Sequence, residues 1–489
     1  MSGSRTLRIA ELATNVFDGP FGSNLKSSDY TGSGTRVIRL ENIGHRHFIG
    51  EKETFISDDK AEGLARHRLL PSDILFSSFV EDAVRVCLFP AGLPTPAINK
   101  ADCFCIRVNS NLALPEFVAL QLASRETFEV MRDLVHGATR PRVGLDALKN
   151  YRVEVPPLAQ QRRIVARIEA LFARIRRARV DLERVAPLSD RHRLASLRAG
   201  VTGQLTEAWR QGRPVEDVQI ALRQIPAPEQ GRGGREATTD VTPGMAALSV
   251  NDPGTLAPAG WAWTPLLRVA RQETGHTPSR RVSAYWDGGD VPWIGIRDAG
   301  AHHGTTIYDT IQKCTELGLA NSSARLLPAG TVCLSRTASV GYVTVLGKSM
   351  ATSQDFATWT CTPALLPEYL KFALLAEGDD IRRFGEGSTH TTIYFPEIRA
   401  LHICLPPIEE QVEIVRILTS NAGGQTIASI EAARTLALLN RLEQSILARA
   451  FRGKFVAQED DDSSDDRSAK NAPSSRISRK LRRTGRAAT

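Results

Sequence analysis

The same pattern is written twice in this chain, about 250 residues apart. Residues 137–165 read GATRPRVGLDALKNYRVEVPPLAQQRRIV, and residues 387–415 read GSTHTTIYFPEIRALHICLPPIEEQVEIV. Both pass from Gly-x-Thr through an alternating strand pattern into a proline pair, then a glutamine, then a long helical stretch. Pro156 and Pro157 stand 250 positions before Pro406 and Pro407, as Gln161 does before Gln411. The far ends of the helical stretches also match, LRAGVTGQL (197–205) against LARAFRGKF (447–455). A period this long is not that of a solenoid, whose units run to roughly 20–50 residues. It marks a duplicated domain followed each time by a helix. One chain therefore presents two similar surfaces, as a symmetric dimer would.

The match continues upstream. LLPSDILFS (69–77) resembles LLPAGTVCLS (326–335), and Leu114-Pro-Glu-Phe117 resembles Leu366-Pro-Glu-Tyr369. Here the offset drifts to 257, which small insertions in loops explain at low energetic cost. Each half reads as a compact α+β domain. In the first, 37–40, 73–76, 103–108 and 151–155 alternate or are β-branched and are expected as strands. Leu114 to Leu134 is expected as a helix opened by Pro115 and Glu116.

Residues 157–186 change character. Ile164, Ile168, Leu171, Ile175, Ala178, Leu182 and Val185 step by alternating fours and threes, a heptad seam. Such a helix spans roughly 45 Å at about 1.5 Å per residue. Arginines crowd its flanks (Arg162, Arg163, Arg167, Arg174, Arg176, Arg177, Arg179). They fit a solvated face as well as they fit contact with a partner subunit or a DNA backbone. An apolar seam needs a second helix, and the stretch after Pro407 is the evident mate. There Ile414 and Leu418 continue the seam, Asn421 and Gln425 interrupt it, and apolar spacing resumes from Ile427 through Leu436, Leu439, Leu442 and Ile446. Gly423-Gly424 predicts a bent or broken helix, since each glycine costs up to about 1 kcal/mol.

The domain reading is therefore 1–155 for the first globular domain, 156–210 for its helices and 211–259 for a Pro/Gly/Ala-rich linker. A second domain covers 260–405, a second helical region 406–456, and a disordered charged tail 457–489. With 62 Lys+Arg against 54 Asp+Glu, the net charge of +8 permits nucleic-acid binding without requiring it. The seven cysteines are scattered with no C-x-x-C pair, as expected of reduced thiols. No apolar leader opens the chain and no 18-residue apolar run occurs, so a cytoplasmic chain without membrane contact is expected.

Catalytic motifs are missing. GYVTVLGKS (341–349) has five residues between its glycines where a phosphate loop needs four. No H-E-x-x-H or G-x-S-x-G occurs. His45-x-His47 and His302-His303 lack companions at ligand spacing, so no metal is expected. The proline pairs lack the flanking residues of an amino-methyltransferase motif and serve better as helix starts.

Taken together, these residues resemble the specificity (S) subunit of type I restriction–modification systems. The carrying motifs are Pro-Pro-x-x-x-Gln-x-x-Ile-Val at 156–165 and 406–415, and the helix ends at 199–205 and 450–455. To these are added Pro258-x-Gly-Trp-x-Trp263, Gly275-His-Thr-Pro-Ser279 and Val291-Pro-Trp-Ile294. The first domain departs from the pattern in lacking Gly-Trp-x-Trp. The resemblance implies two target-recognition domains spaced by long helices that pair as an antiparallel coiled coil, in an α+β, pseudo-twofold arrangement. It implies a non-catalytic chain that reads a bipartite target in double-stranded DNA. It also implies docking to two methyltransferase subunits, which hold the S-adenosylmethionine that this chain does not bind, and to motor-nuclease subunits. On that reading the seam comprises Ile164, Ile168, Leu171, Ile175, Leu182, Val185, Ile414, Leu418, Leu436 and Leu439.

Candidate DNA-contacting residues in the first domain are Ser23, Asn24, Lys26, Arg36, Arg39, Arg140 and Arg142. In the second they are His276, Thr277, Ser279, Arg280, Arg281, Arg297, Arg336, Thr389 and His390. They are short polar or cationic side chains on loops, the types that reach phosphates and base edges. Other readings remain open: a stand-alone DNA-binding protein, a divergent nuclease around Asp58, Asp59, Glu81 and Asp82, and a protein-binding scaffold.

Overall fold

The computed structural model describes residues 4–93, 96–135, 141–214, 216–231, 236–337, 339–386 and 391–452. Two compact units emerge, Met1–Ile175 with Asn440–Thr489 and Arg176–Leu439. Each combines a globular α+β part with stretches of long helix.

In the first unit, Ala13–Phe17, Cys103–Val108, Ile74–Val80 and Val84–Leu88 form an antiparallel sheet in that order. Tyr30–Thr31, Phe55–Ile56, Thr35–Ile38 and Ala97–Asn99 form a second sheet, its last pair parallel. A ribbon of Arg5–Arg8 and Arg152–Val155 leads into the helix. The helical expectation for 114–134 splits into Pro115–Leu122 and Arg125–Asp133. Ser124 starts the second piece, its hydroxyl accepting the Thr127 N–H at 3.3 Å.

The second unit repeats this plan. Ala270–Thr274, Phe356–Cys361, Val332–Ser335, Val343–Leu346 and Thr306–Ile307 make the first sheet; Gln312–Cys314, Val291–Ile294 and Ala351–Thr352 make the second. The register is repeated too. Phe17 faces Cys105 as Glu273 faces Thr358, and the parallel pair Ile38–Asn99 recurs as Ile294–Thr352. The chain is an internally duplicated α+β protein.

The segment 211–259 is not a free linker. It contains a helix, Val218–Gln224, and two short strands, Thr242–Pro243 and Leu248–Val250. The strands extend the Leu401–Leu405 and Ala262–Pro265 ribbon to four strands. Val218, Leu222, Ala247, Leu248 and Val250 are buried in the second unit's main core. Their spacing is too short to show against the surrounding Pro and Gly. The tail from 457 lies outside the described residues.

Three long helices carry the seam: α1 (Leu158–Glu183), α2 (Val185–Val201) and α3 (Ile408–Phe451). The break after Glu183 follows from Pro187, which has no N–H to give the Glu183 carbonyl. Helical bonding resumes with Leu188 N–H to the Arg184 carbonyl at 3.1 Å. Gly423-Gly424 does not break α3, contrary to expectation. A Cβ at either glycine meets no atom within 4 Å, so the glycines perturb no packing and only their propensity cost is felt. Buried Leu418 and Ala432 anchor the helix on either side.

Ile164, Ile168, Ile175, Ile414 and Leu418 are buried as the heptad requires, whereas Leu171, Leu182, Val185, Leu436 and Leu439 are half-buried. Phe172, absent from the predicted seam, is buried instead. The drift of a straight helix from a 3.5 repeat is only about 20° per heptad; Phe172 is covered from the globular part, where the Arg46 guanidinium lies over its ring. In the second unit α2 and α3 are antiparallel. His192 Nδ1 lies 2.7 Å from Gln425 Nε2, and a Cβ on Gly200 would sit 2.9 Å from Leu418 Cδ1. The first unit shows the same sense through shared neighbours. Arg46 lies 4.2 Å over the Phe172 ring and pairs with Glu443. Gln161 bonds at Leu112 and Leu114, and Phe451 packs edge-on at 5.4 Å against Phe117 of the following helix.

The repeated glutamine has a repeated task. Gln161 Oε1 accepts the Leu114 N–H at 2.8 Å, while Nε2 donates to the carbonyls of Leu112 (3.2 Å) and Pro156 (2.7 Å). Gln411 does the same with Leu366, Ala364 and Pro406 at 2.8, 2.9 and 2.9 Å. Both amides are fully buried. Each fixes the start of a long helix to the loop before its domain's Leu-Pro-Glu helix.

Candidate nucleic-acid interface

Four segments converge on one rim of each globular part, and the same backbone contacts hold them. In the first unit Gly19 lies against Lys100–Ala101 so closely that a Cβ would be 2.1 Å from the Lys100 carbonyl carbon. The Ser78 N–H donates to the Asp102 carbonyl (2.9 Å), and the Val143 N–H donates to the Ser78 carbonyl (2.8 Å). In the second unit a Cβ on Gly275 would be 2.0 Å from the Thr352 carbonyl oxygen. There the Arg336 N–H donates to the Asp355 carbonyl (2.8 Å), and the Ile393 N–H to the Arg336 carbonyl (2.9 Å). Only glycine allows such approach of two backbones.

The polar lining differs between the rims. In the first, the Ser78 hydroxyl donates to Asp102 Oδ1 (3.0 Å), and Arg142 pairs with Asp102 (3.5 Å) while lying 4.7 Å over Phe79. Asp102 has φ +71°, a strained position. Asp18, next to Gly19, is pushed up to about 6 by burial, with the nearby Asp102 charge adding to the rise. In the second, Asp355 accepts the hydroxyls of Thr337 (2.7 Å) and Ser353 (2.9 Å), and the Thr277 hydroxyl donates to Gln354 Oε1 (2.6 Å). Asp18, Asp102, Gln354 and Asp355 were missed in the sequence; the matched glycines 256 positions apart were the available signal.

The sequence candidates differ in what already holds them. Ser23, Asn24 and Lys26 are exposed on short turns after Gly19. His276, Ser279, Arg280, Arg281 and Arg297 are exposed, and Thr277 is half-buried. Arg280 is held over two indoles, Trp286 (5.0 Å) and Trp293 (5.3 Å), and donates to Gln312 Oε1 at 3.2 Å. The two rings meet edge-to-face at 5.2 Å. This fixes a guanidinium on the surface at small further entropic cost.

Two arginines are engaged within the fold. Arg36 is 3% exposed, donates to the Gly50 (2.6 Å) and Lys52 (3.3 Å) carbonyls and pairs with Glu53 (3.4 Å). Arg336 is half-buried against Phe395 (4.4 Å) and donates to the Gln354 (3.1 Å) and Ile393 (3.4 Å) carbonyls. Both tie the fold together and are spoken for. Arg39 is partly committed, to Glu41 at 3.5 Å. Arg140, Thr389 and His390 lie outside the described residues.

Among the described residues no three His, Cys, Asp or Glu side chains group as metal ligands, and no helix is long and apolar enough to cross a membrane. The cysteines are unbridged, and burial pushes the thiols of Cys87, Cys361 and Cys404 up to about 12. Asp58 accepts the Thr35 hydroxyl at 2.7 Å, a bond between side chains of the fold.

Residues 70–182 and 258–432, more than half of the chain, match the family model described as the type I restriction modification DNA specificity domain. The chain belongs to this family, whose members are the non-catalytic recognition subunits of type I restriction–modification systems. It is 27% identical over 164 residues to the MjaIX specificity subunit of Methanocaldococcus jannaschii, covering 33% of this chain and 38% of that one. It is 24% identical over 319 residues to the EcoKI specificity subunit of Escherichia coli K12, covering 63% and 58%. The chain thus spans less than two thirds of the length of these two relatives. The HsdS subunit from Thermoanaerobacter tengcongensis has a similar fold, with a TM-score of 0.57 at 21% identity over 93% of this chain and 98% of that chain.

Proposed function

We propose that this chain reads a two-part DNA sequence, one part with each globular domain, for a type I restriction–modification complex. The observation that carries the reading is the duplicated rim, in which Gly19 and Gly275 hold matching loops against matching strands. Those loops present Ser23, Asn24 and Lys26 in one half and His276 to Arg281 in the other. The frame is constant and the lining varies, as two readers of different sequences require. The major groove offers a distinct donor and acceptor pattern for each base pair, and backbone contacts set the register in which it is read. Arg280, already immobilised on its indoles, suits a guanine edge, where a good bidentate contact discriminates by about 1–3 kcal/mol.

The chain supplies selection and leaves chemistry to others. Two methyltransferase subunits, carrying S-adenosylmethionine and acting on an adenine rotated out of the stack, dock on the helices, and motor-nuclease subunits join them. This work belongs in the cytoplasm, where the DNA is. The test is selection of duplexes from a randomised pool by the assembled complex. Two short defined blocks at a fixed gap are expected; a single continuous block, or none, refutes the reading.

A further inference from the structure

The two halves break symmetry where the second domain meets its helices. Glu410, three residues after Pro407, is 2% exposed. Its carboxylate accepts the Thr206 hydroxyl (2.6 Å) and the Trp261 indole N–H (2.8 Å), and it pairs with Arg210. Arg210 also donates to the Gly203 carbonyl at 2.7 Å and lies 5.7 Å over the Trp261 ring. Gly203, at φ +81°, leaves the room this needs, since a Cβ there would be 2.9 Å from Arg210 Nη1. One carboxylate thus joins three segments: the exit from α2, the strand that opens the second domain, and the start of α3.

Among the described residues the first half shows no such latch. Gln160 stands where Glu410 stands, and strand register (Arg5 with Val155, Ala262 with Leu405) places Ser4 where Trp261 is. The Ser4 hydroxyl is buried and finds no partner among the described residues. The sequence puts Val456 and Asp460 at the positions of Thr206 and Arg210. The second domain already touches α2 elsewhere, with Arg198 donating to the Ala376 carbonyl and pairing with Asp380, both at 3.0 Å. The Gln411 amide and the packing of Leu197, Val201, Ile414 and Leu418 also hold the domain to its helices; the directional bonds of Glu410 limit the small tilts that apolar packing alone permits. A cavity of about 460 Å³ beside the latch, lined by Trp209, Arg213, Pro258 and Pro407, leaves space for such a tilt.

We propose that Glu410 is a positioning residue that fixes the second recognition domain on its helices, and so makes the gap between half-sites strict. This rests on the two-part reading above. One added base pair shifts a half-site by about 3.4 Å and turns it by about 35°. A domain that cannot rock rejects that shift; an unlatched one tolerates it. Charge-assisted bonds suit the task because they are directional and strong.

The full chain is co-expressed with its methyltransferase partner in a host lacking adenine methylation, and modified adenines are mapped. Wild type is expected to mark one spacer. Glu410→Gln and Trp261→Phe should keep both half-sites but raise marking of spacers one base pair longer or shorter by about tenfold relative to the correct one, as expected for loss of one charge-assisted bond. Gln160→Ala should leave the spacer unchanged. If both variants mark only the wild-type spacer, or marking falls evenly at all sites, Glu410 is merely structural and the proposal fails. If Glu410→Gln does not accumulate, Trp261→Phe, which removes the indole N–H and keeps an aromatic ring at that position, decides. A wild-type map without a two-part motif fails the underlying reading instead, and is seen before any variant is made.

Discussion

Gln161 and Gln411 each satisfy one buried N–H and two carbonyls through a single amide. Replacing either by Leu leaves those groups without partners, and about 2–4 kcal/mol of stability should go with them. Urea unfolding measures it; a loss below about 0.5 kcal/mol would show that the clamp is not needed. Asp18 gives a pH signature. Its folded pKa, about 6, is raised above the ordinary 3.8. The folded state therefore holds the proton more tightly than the unfolded chain, and stability rises as pH falls from above 6 toward 4. Asp18→Asn should melt higher than the parent at pH 8 and no higher at pH 4. An equal difference at both pH values would remove Asp18 as the cause. Such roles were only half legible. The glutamines showed in the repeat, but nothing in the sequence separates Arg36, buried on three partners, from Arg280, held at the surface. Both are arginines near loops, and only tertiary contacts assign them.

At the scale of elements, the helices test two rules against each other. Gly423 and Gly424 cost propensity yet do not stop α3, because a long helix anchored by buried side chains on both sides absorbs about 1–2 kcal/mol. Gly424→Ala should therefore raise stability by up to about 1 kcal/mol, read as a higher melting temperature; a lower one would mean that the glycine is needed for shape. Ile168, fully buried on α1, should tolerate no charge. Ile168→Asp is expected to prevent soluble accumulation or cost more than about 3 kcal/mol, and a normal yield and melt would contradict the seam. The heptad pattern located α1, but Phe172 escaped it because its cover, the Arg46 guanidinium, comes from a distant segment. Pro187 was visible and its break was not foreseen. The short strands of 242–250 were hidden because two or three residues are too few to show a period.

For the whole molecule, duplication is the property that both sequence and fold express. It was legible because homologous frames keep their glycines, prolines and buried glutamines even where the loops between them diverge. What the rims recognise was not legible, since recognition depends on side chains such as Asp102, Asp355 and Gln354 whose neighbours come from distant segments. On the two-part reading, each rim reads its own half of the target. The most direct measurement compares the DNA preferences of the assembled complex containing wild-type chain with those containing Arg280→Ala, Arg281→Ala and Lys26→Ala, selected from one randomised duplex pool at several salt concentrations. The second-domain variants are expected to relax the bases of one block only, Lys26→Ala to affect only the other, and the gap to stay unchanged. A variant in one domain that alters both blocks, or variants in both domains that alter the same block, would contradict it.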